Sequence, residues 1–271
     1  MKFAIAHAAW HPERGRTLAR LVRQLADQGA DIHVSVSARR EHAAIWATRL
    51  WEYAAFVEEP TVCLNDDTIL SDDFVATCEA ISEAVPDEVV SLHTQVPGVE
   101  LVEGPWVRCY WLTGPAYLLP VGAPRAMLDW PAPWEVISQI NEDNRAIHWA
   151  WERQRPFYSV TVAPVVHDVK TASTLGYDDH PNRLPRVTWR DRPDLDLTDP
   201  GYWKPEGEPP FLPNPWMSAE CLEMVRLAVR DGRPLCIMCT YRLGVVGTKT
   251  GVAICGRCAQ TCWGSIQKRM A

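Results

Sequence analysis

Thr61-Val62-Cys63-Leu64-Asn65-Asp66-Asp67 is a short apolar run that ends in an amide and two carboxylates. Its first four residues suit a buried strand, and the polar triplet marks where that strand stops. The flanking pattern decides the fold. Residues 2–9 form an apolar run with the character of a central strand. Leu18, Leu21, Val22 and Leu25 recur at helical spacing, and Gly29 stands where a C-terminal cap belongs. Ile32, Val34 and Val36 alternate as in a strand, and a second helical stretch covers about 41–57. Downstream, Ser71-Asp72-Asp73 suits the start of a helix running to about residue 84. Strand-like runs follow at 88–93 and 106–112, then a helix near 142–153 and a strand near 157–165. Strands alternating with helices predict an α/β layer fold with a mainly parallel sheet. Ligands bind such sheets at the carboxyl ends of strands, and Asn65-Asp66-Asp67 lies at one.

The chain has 271 residues, 47% apolar and 23% charged, which suits one globular core plus a small appendage. No apolar run approaches a bilayer-spanning length, and the N-terminus lacks the long apolar region of a signal peptide. A cytoplasmic protein with no membrane partner is expected. Residues 181–216 hold nine of the 22 prolines and read as an extended connector. Trp189, Tyr202, Trp203, Phe211 and Trp216 argue that it lies along the domain surface rather than swinging freely. The expected organisation is a domain over 1–183, a connector over 184–216 and a C-terminal module over 217–271.

That module holds six of the nine cysteines. Cys236-x2-Cys239 and Cys255-x2-Cys258 are separated by 15 residues, the paired-knuckle spacing of a tetrahedral four-thiolate zinc site. No open ligand position is implied, so the Zn²⁺ is structural. Cys221 and Cys262 are spare thiols. Cys63, Cys78 and Cys109 are scattered and read as buried apolar residues. Residues 217–271 carry eight Lys and Arg against three Asp and Glu, whereas the whole chain is at −7. A basic tail on an acidic body points to an anionic partner.

Three clusters can carry chemistry, and each has a plainer reading. Asn65-Asp66-Asp67 suits a hard divalent cation, or a turn or cap. Glu142 and Asp143 precede an aromatic helix and can supply a general base, or simply start that helix. His167 closes an apolar strand and is followed by Ser173 and Gly176. It suits a metal ligand, or a solvated loop histidine.

In order and spacing these clusters resemble the nucleotide-sugar-dependent glycosyltransferases of the GT-A fold, over Lys2 to about Asn182. The segment Trp111-Leu112-Thr113-Gly114-Pro115-Ala116-Tyr117-Leu118 is similar to the family's acceptor-side segment. The family's Asp-x-Asp stands here as Asn65-Asp66-Asp67, with an amide in place of the first carboxylate. The resemblance implies a UDP-sugar or related donor, with Mn²⁺ or Mg²⁺ held by Asp67 and His167. It implies that Asp66 faces the ribose or sugar, with Ser173 behind His167. Asp143, or else Glu142, would be the base for the acceptor hydroxyl in an inverting transfer. His7, Trp10 and Arg14 would contact the donor base or diphosphate.

The added zinc module looks like that of bacteriophage enzymes that glycosylate hydroxymethylcytosine or hydroxymethyluracil in DNA. DNA is therefore the implied acceptor. Alternatives are a protein or glycan acceptor, nucleotidyl transfer, and a non-enzymatic zinc-ribbon nucleic-acid-binding protein with an inert α/β body.

Overall fold

A computed structural model describes residues 1–39, 43–112, 114–130, 142–171, 184–212, 246–247 and 253–254. The chain enters the sheet with β1 (Lys2–Ala8), crosses through α1 (Arg14–Asp27) to β2 (Asp31–Ser37), and returns through α2 (Ala43–Val57) to β3 (Thr61–Asn65). A short β4 (Thr68–Leu70) and α3 (Phe74–Ala84) lead to β5 (Val90–Ser91), β6 (Trp106–Cys109) and β7 (Ala116–Leu119). Then come α4 (Ala123–Leu128), α5 (Glu142–Glu152), β8 (Phe157–Val160) and β9 (Val165–His167).

The main sheet has seven strands in the order β2-β1-β3-β7-β5-β8-β6. The pairs β1–β2, β1–β3 and β5–β8 are parallel, while β7 is antiparallel to β3 and β5, and β6 is antiparallel to β8. Five strands therefore share one direction, and β6 and β7 oppose them. The fold is mixed α/β rather than uniformly parallel.

Alternation along the central strands explains the layering. Phe3 and Ile5 of β1, with Val62 and Leu64 of β3, join the cluster that holds Leu21 and Leu25 of α1 and Phe74 and Ile81 of α3. Ala4, Ala6 and Cys63 face the other way, toward Leu50 and Trp51 of α2, Met127 of α4 and Ile147 of α5. Both faces are covered, as the near-continuous apolar runs require. The large residues fall on one face of β1 and the alanines on the other, where Trp51 fills the space.

Gly29 and the scattered cysteines stand as expected, whereas the side-chain cap expected at Ser71-Asp72-Asp73 does not form at Asp73. Gly29 has φ +77°, and the amides of Gly29 and Ala30 return to the carbonyls of Ala26 and Leu25, closing α1. Asp73 occupies the position before α3 but makes no side-chain cap; Gln28 Oε1 instead accepts the Val75 amide at 2.9 Å. Cys63, Cys78 and Cys109 are buried. Burial pushes the Cys63 thiol up to about 12 and that of Cys109 to about 11, so both behave as small apolar groups.

The expected strand near 157–165 is two strands. After Val160 the chain leaves the main sheet, and Val165–His167 pairs with β4 in a separate two-stranded ladder. Pro164 sits at the break, where it has no amide to give a ladder. β7 and α4 are additional to the sequence reading.

Residues 184–212 of the Pro-rich connector are part of the body. Trp203 is 0% exposed within the first core cluster. Trp106 Nε1 donates to the Trp203 carbonyl and Trp203 Nε1 to the Leu197 carbonyl, at 2.6 and 2.7 Å. Near its end the segment pairs with β6: the Arg108 amide donates to Pro210 O and the Leu212 amide to Arg108 O. Apolar residues thus anchor it in the core, rather than only against the surface. Among the described residues, no helix is long and apolar enough to cross a membrane.

Candidate active site

β1 and β3 are parallel neighbours, so Ala8 and Asn65 end at the same edge of the sheet. The chain turns at Asp66-Asp67 and immediately forms β4. In the β4–β9 ladder Thr68 lies opposite His167, which brings His167 beside Asp67. The Asp168 amide donates to the Asp67 carbonyl at 2.8 Å and locks that register. The Thr68 hydroxyl lies within hydrogen-bond reach of the Asn65 and Pro115 carbonyls, 2.8 and 3.0 Å away, and its one proton ties the turn from within.

Asp66 and Asp67 are each 1% exposed. The Asp66 carboxylate accepts from His7 Nδ1 at 2.8 Å, from the Ala8 amide at 2.9 Å and from Arg14 Nη1 at 2.7 Å. Asp67 Oδ2 accepts from His167 Nε2 at 2.6 Å and lies 2.7 Å from the same Arg14 Nη1. Two adjacent aspartates thus each hold one histidine, and one arginine joins them. An ionised carboxylate only accepts, so each histidine donates to its aspartate. In the neutral rings the lone pair then stands on Nε2 of His7 and on Nδ1 of His167. Two buried carboxylates thus share one guanidinium nitrogen.

Most of the residues expected to bind donor or metal converge here: His7, Arg14, Asp66, Asp67 and His167. Asp66, expected to face ribose or sugar, uses its oxygens on His7, Ala8 and Arg14. Asn65 contributes backbone, donating its amide to Pro115 O and accepting from Thr68. Trp10 lies in the loop between β1 and α1, edge-on to His11 with ring centroids 5.6 Å apart.

Glu142 and Asp143 open α5. Arg145, in the same turn, donates to Thr48 Oγ1 in the first half of α2 and to the carbonyls of Met127 and Leu128. Because α2 descends from the carboxyl end of β2, the start of α5 lies toward the carboxyl edge. The side chains of Glu142 and Asp143 lie outside the described residues. So do Ser173 and Cys236, Cys239, Cys255 and Cys258. Val246–Gly247 and Ala253–Ile254, between the two cysteine pairs in sequence, form an antiparallel ladder.

Asp168 and Arg20 belong to the neighbourhood and are additional to the sequence reading. Arg20 Nη1 donates to Asp168 Oδ2 at 2.8 Å. Burial pushes the Asp168 carboxyl up, but the Arg20 guanidinium and the Lys170 amide outweigh it and hold it below the usual carboxylate range. Only the proximity of Asp168 to His167 in sequence hinted at this pair.

The donors can be tested against a cation. If the proton between Asp67 Oδ2 and His167 Nε2 gave way to a cation and the ring kept its proton on Nδ1, the two would supply an oxygen and a nitrogen from adjoining strands, a set that suits Mn²⁺ better than Mg²⁺, which prefers oxygen alone. Among the described residues, no three His, Cys, Asp or Glu side chains group around one point. A cation there would rest on two described protein donors, with its other positions left to ligand oxygens and water.

No protein-family model and no curated protein sequence matches the chain. Similar solved structures include a Drosophila β-1,4-galactosyltransferase 7 mutant in complex with manganese, UDP-Gal and xylobiose. It is 10% identical with a TM-score of 0.38, over 62% of this chain and 71% of that one. A glycosyltransferase involved in glycosylation of the major capsid of PBCV-1 is 13% identical with a TM-score of 0.34, over 68% and 92%. A Bacillus anthracis structure assigned as a glucose-1-phosphate thymidylyltransferase, in complex with a sucrose, is 12% identical with a TM-score of 0.39, over 58% and 88%. All three TM-scores lie below 0.5, and the chemistry of the site rests on its own geometry.

Proposed function

We propose that the chain is a glycosyltransferase that moves a sugar from a nucleotide-sugar, a UDP-sugar among the candidates, to an acceptor hydroxyl. One observation carries the reading: a buried aspartate pair at the carboxyl edge, clasped by His7 and Arg14 from the first βα unit and by His167 from β9. Burying two adjacent carboxylates is costly, and such groups gather where charge is handled. Asp67 and His167 would seat Mn²⁺, which when bound stabilises negative charge on the leaving diphosphate. Arg14 is the nearby cation for the same phosphates. Asp143, or else Glu142, at the start of α5, is the proposed base for the acceptor hydroxyl, with inversion at the anomeric carbon. Ser173 follows β9 in sequence and is proposed on the donor side.

The proposed acceptor is a hydroxymethylpyrimidine in DNA. Its support is the basic composition of residues 217–271 and the four-cysteine zinc spacing there. The test is a donor screen with Mn²⁺ or EDTA, on DNA containing hydroxymethylcytosine or hydroxymethyluracil and on small hydroxyl acceptors. The nucleosides and products are weighed by mass spectrometry. A Mn²⁺-dependent hexose- or pentose-sized gain on DNA supports donor, metal and acceptor together. Transfer only to small acceptors or protein discards DNA. Pyrophosphate release indicates nucleotidyl transfer instead, and no turnover with any donor discards the enzyme.

A further inference from the structure

Seating a cation leaves the position of Arg14 unexplained. Its Nη1 lies 2.7 Å from Asp66 Oδ1 and 2.7 Å from Asp67 Oδ2, and the residue is only 4% exposed. One nitrogen therefore bridges the two carboxylates, as a bound cation would. Asp67 Oδ2 already receives His167 Nε2 at 2.6 Å, so the oxygen a metal would use is shared between an imidazole and a guanidinium. Arg14 is also held from its own backbone. Its amide donates to the His11 carbonyl, and its carbonyl accepts the Thr17 hydroxyl. Any withdrawal is therefore a side-chain movement.

We propose that Arg14 is the resident counter-ion of the aspartate pair and competes with a divalent cation for Asp67. The cation is seated only when the guanidinium lets go of that carboxylate. This rests on the reading of Asp67 and His167 as the metal seat. Two features support the exchange. Asp66 offers the guanidinium a second anchor, so leaving Asp67 does not require leaving the site. A divalent cation also supplies the charge that Arg14 removes from Asp67, so each carboxylate keeps a positive neighbour after the exchange. In the absence of metal, Arg14 keeps two buried like charges compatible with the fold. With metal seated, the guanidinium stays on Asp66 and its positive charge remains beside the place the diphosphate would take.

The test is Mn²⁺ binding to the purified full chain, read by the electron paramagnetic resonance signal of free Mn²⁺. Wild type is compared with Arg14→Gln and Arg14→Lys. Removing a positive charge at contact distance should tighten Mn²⁺ binding at least about tenfold in Arg14→Gln, while Arg14→Lys stays nearer wild type. Because Arg14→Gln leaves buried carboxylates uncompensated, Asp66→Asn and the double variant Asp66→Asn/Arg14→Gln form a second pair with one fewer carboxylate. The double variant should bind more tightly than Asp66→Asn alone, and Mn²⁺ should raise its Tm more. Wild-type binding with no gain in either pair overturns the competition and leaves the metal seat standing. If no protein binds Mn²⁺ while sugar transfer persists in EDTA, both the competition and the metal seat fall and the transferase remains.

Discussion

The carboxyl edge of the sheet carries Asp66, Asp67 and Arg14, all buried and all bonded to one another or to backbone. The amino edge, where β5 and β8 begin and β7 ends, carries a cleft of about 370 Å³. Trp149, Phe157 and Pro120 line it with Arg153 and Arg155. The charges there are of another kind. Arg155 pairs with Glu88 at 3.0 Å, but its side chain is 56% exposed. Arg153 rests over the Trp149 ring, 5.1 Å from its centre. The charge at the amino edge is solvated; the charge at the carboxyl edge is desolvated and held by many donors. The second is the costlier arrangement to fold, and cost without structural need is the better pointer to chemistry.

Substitutions can break that comparison. Asp67→Asn should reduce sugar transfer at least about 100-fold, the scale of losing a main electrostatic contact, with the fold retained by circular dichroism. Asp66→Ala leaves His7, the Ala8 amide and one side of Arg14 without their acceptor. It should cost about 3–5 kcal/mol in urea denaturation. Trp203→Ala should cost a similar ~3–5 kcal/mol by emptying a fully buried site, without touching the carboxyl edge. Arg155→Ala, at the amino edge, should cost less than about 1 kcal/mol and leave transfer unchanged. If Arg155→Ala rivals Asp66→Ala in either measurement, the amino edge is the working one.

A pH series sharpens the same contrast with a smaller effect. Arg20 holds the Asp168 carboxyl low in the folded chain, so the pair stabilises at pH values above the ordinary carboxylate range. That contribution fades as pH falls through the lowered folded value. Comparing wild type with Arg20→Gln, the stability difference should be constant near neutrality and shrink below about pH 4.

Most of the central layer was legible because its residues obey short periods. Phe3 and Ile5 alternate with Ala4 and Ala6, and Leu18, Leu21 and Leu25 repeat down α1. β4 was not legible. Its three residues carry little pattern, and it exists because Val165–His167, about a hundred residues away, pairs with it. α4 is one short helix with Pro124 in its first turn, too brief for periodicity. The site was legible as residue types at strand ends. Its wiring was not, since nothing local says that one arginine bridges both aspartates. That contact depends on where the first turn of α1 falls relative to the end of β3, which is set by packing.

The burial of Trp203 also sets a schedule. Its partner Trp106 comes about a hundred residues earlier, and the cluster they share includes Phe3 near the very start of the chain. A ribosome must therefore release the chain beyond residue 203 before this core can close. Until then Trp106 and its neighbours wait uncovered, and chaperones have their longest opportunity to hold the nascent protein.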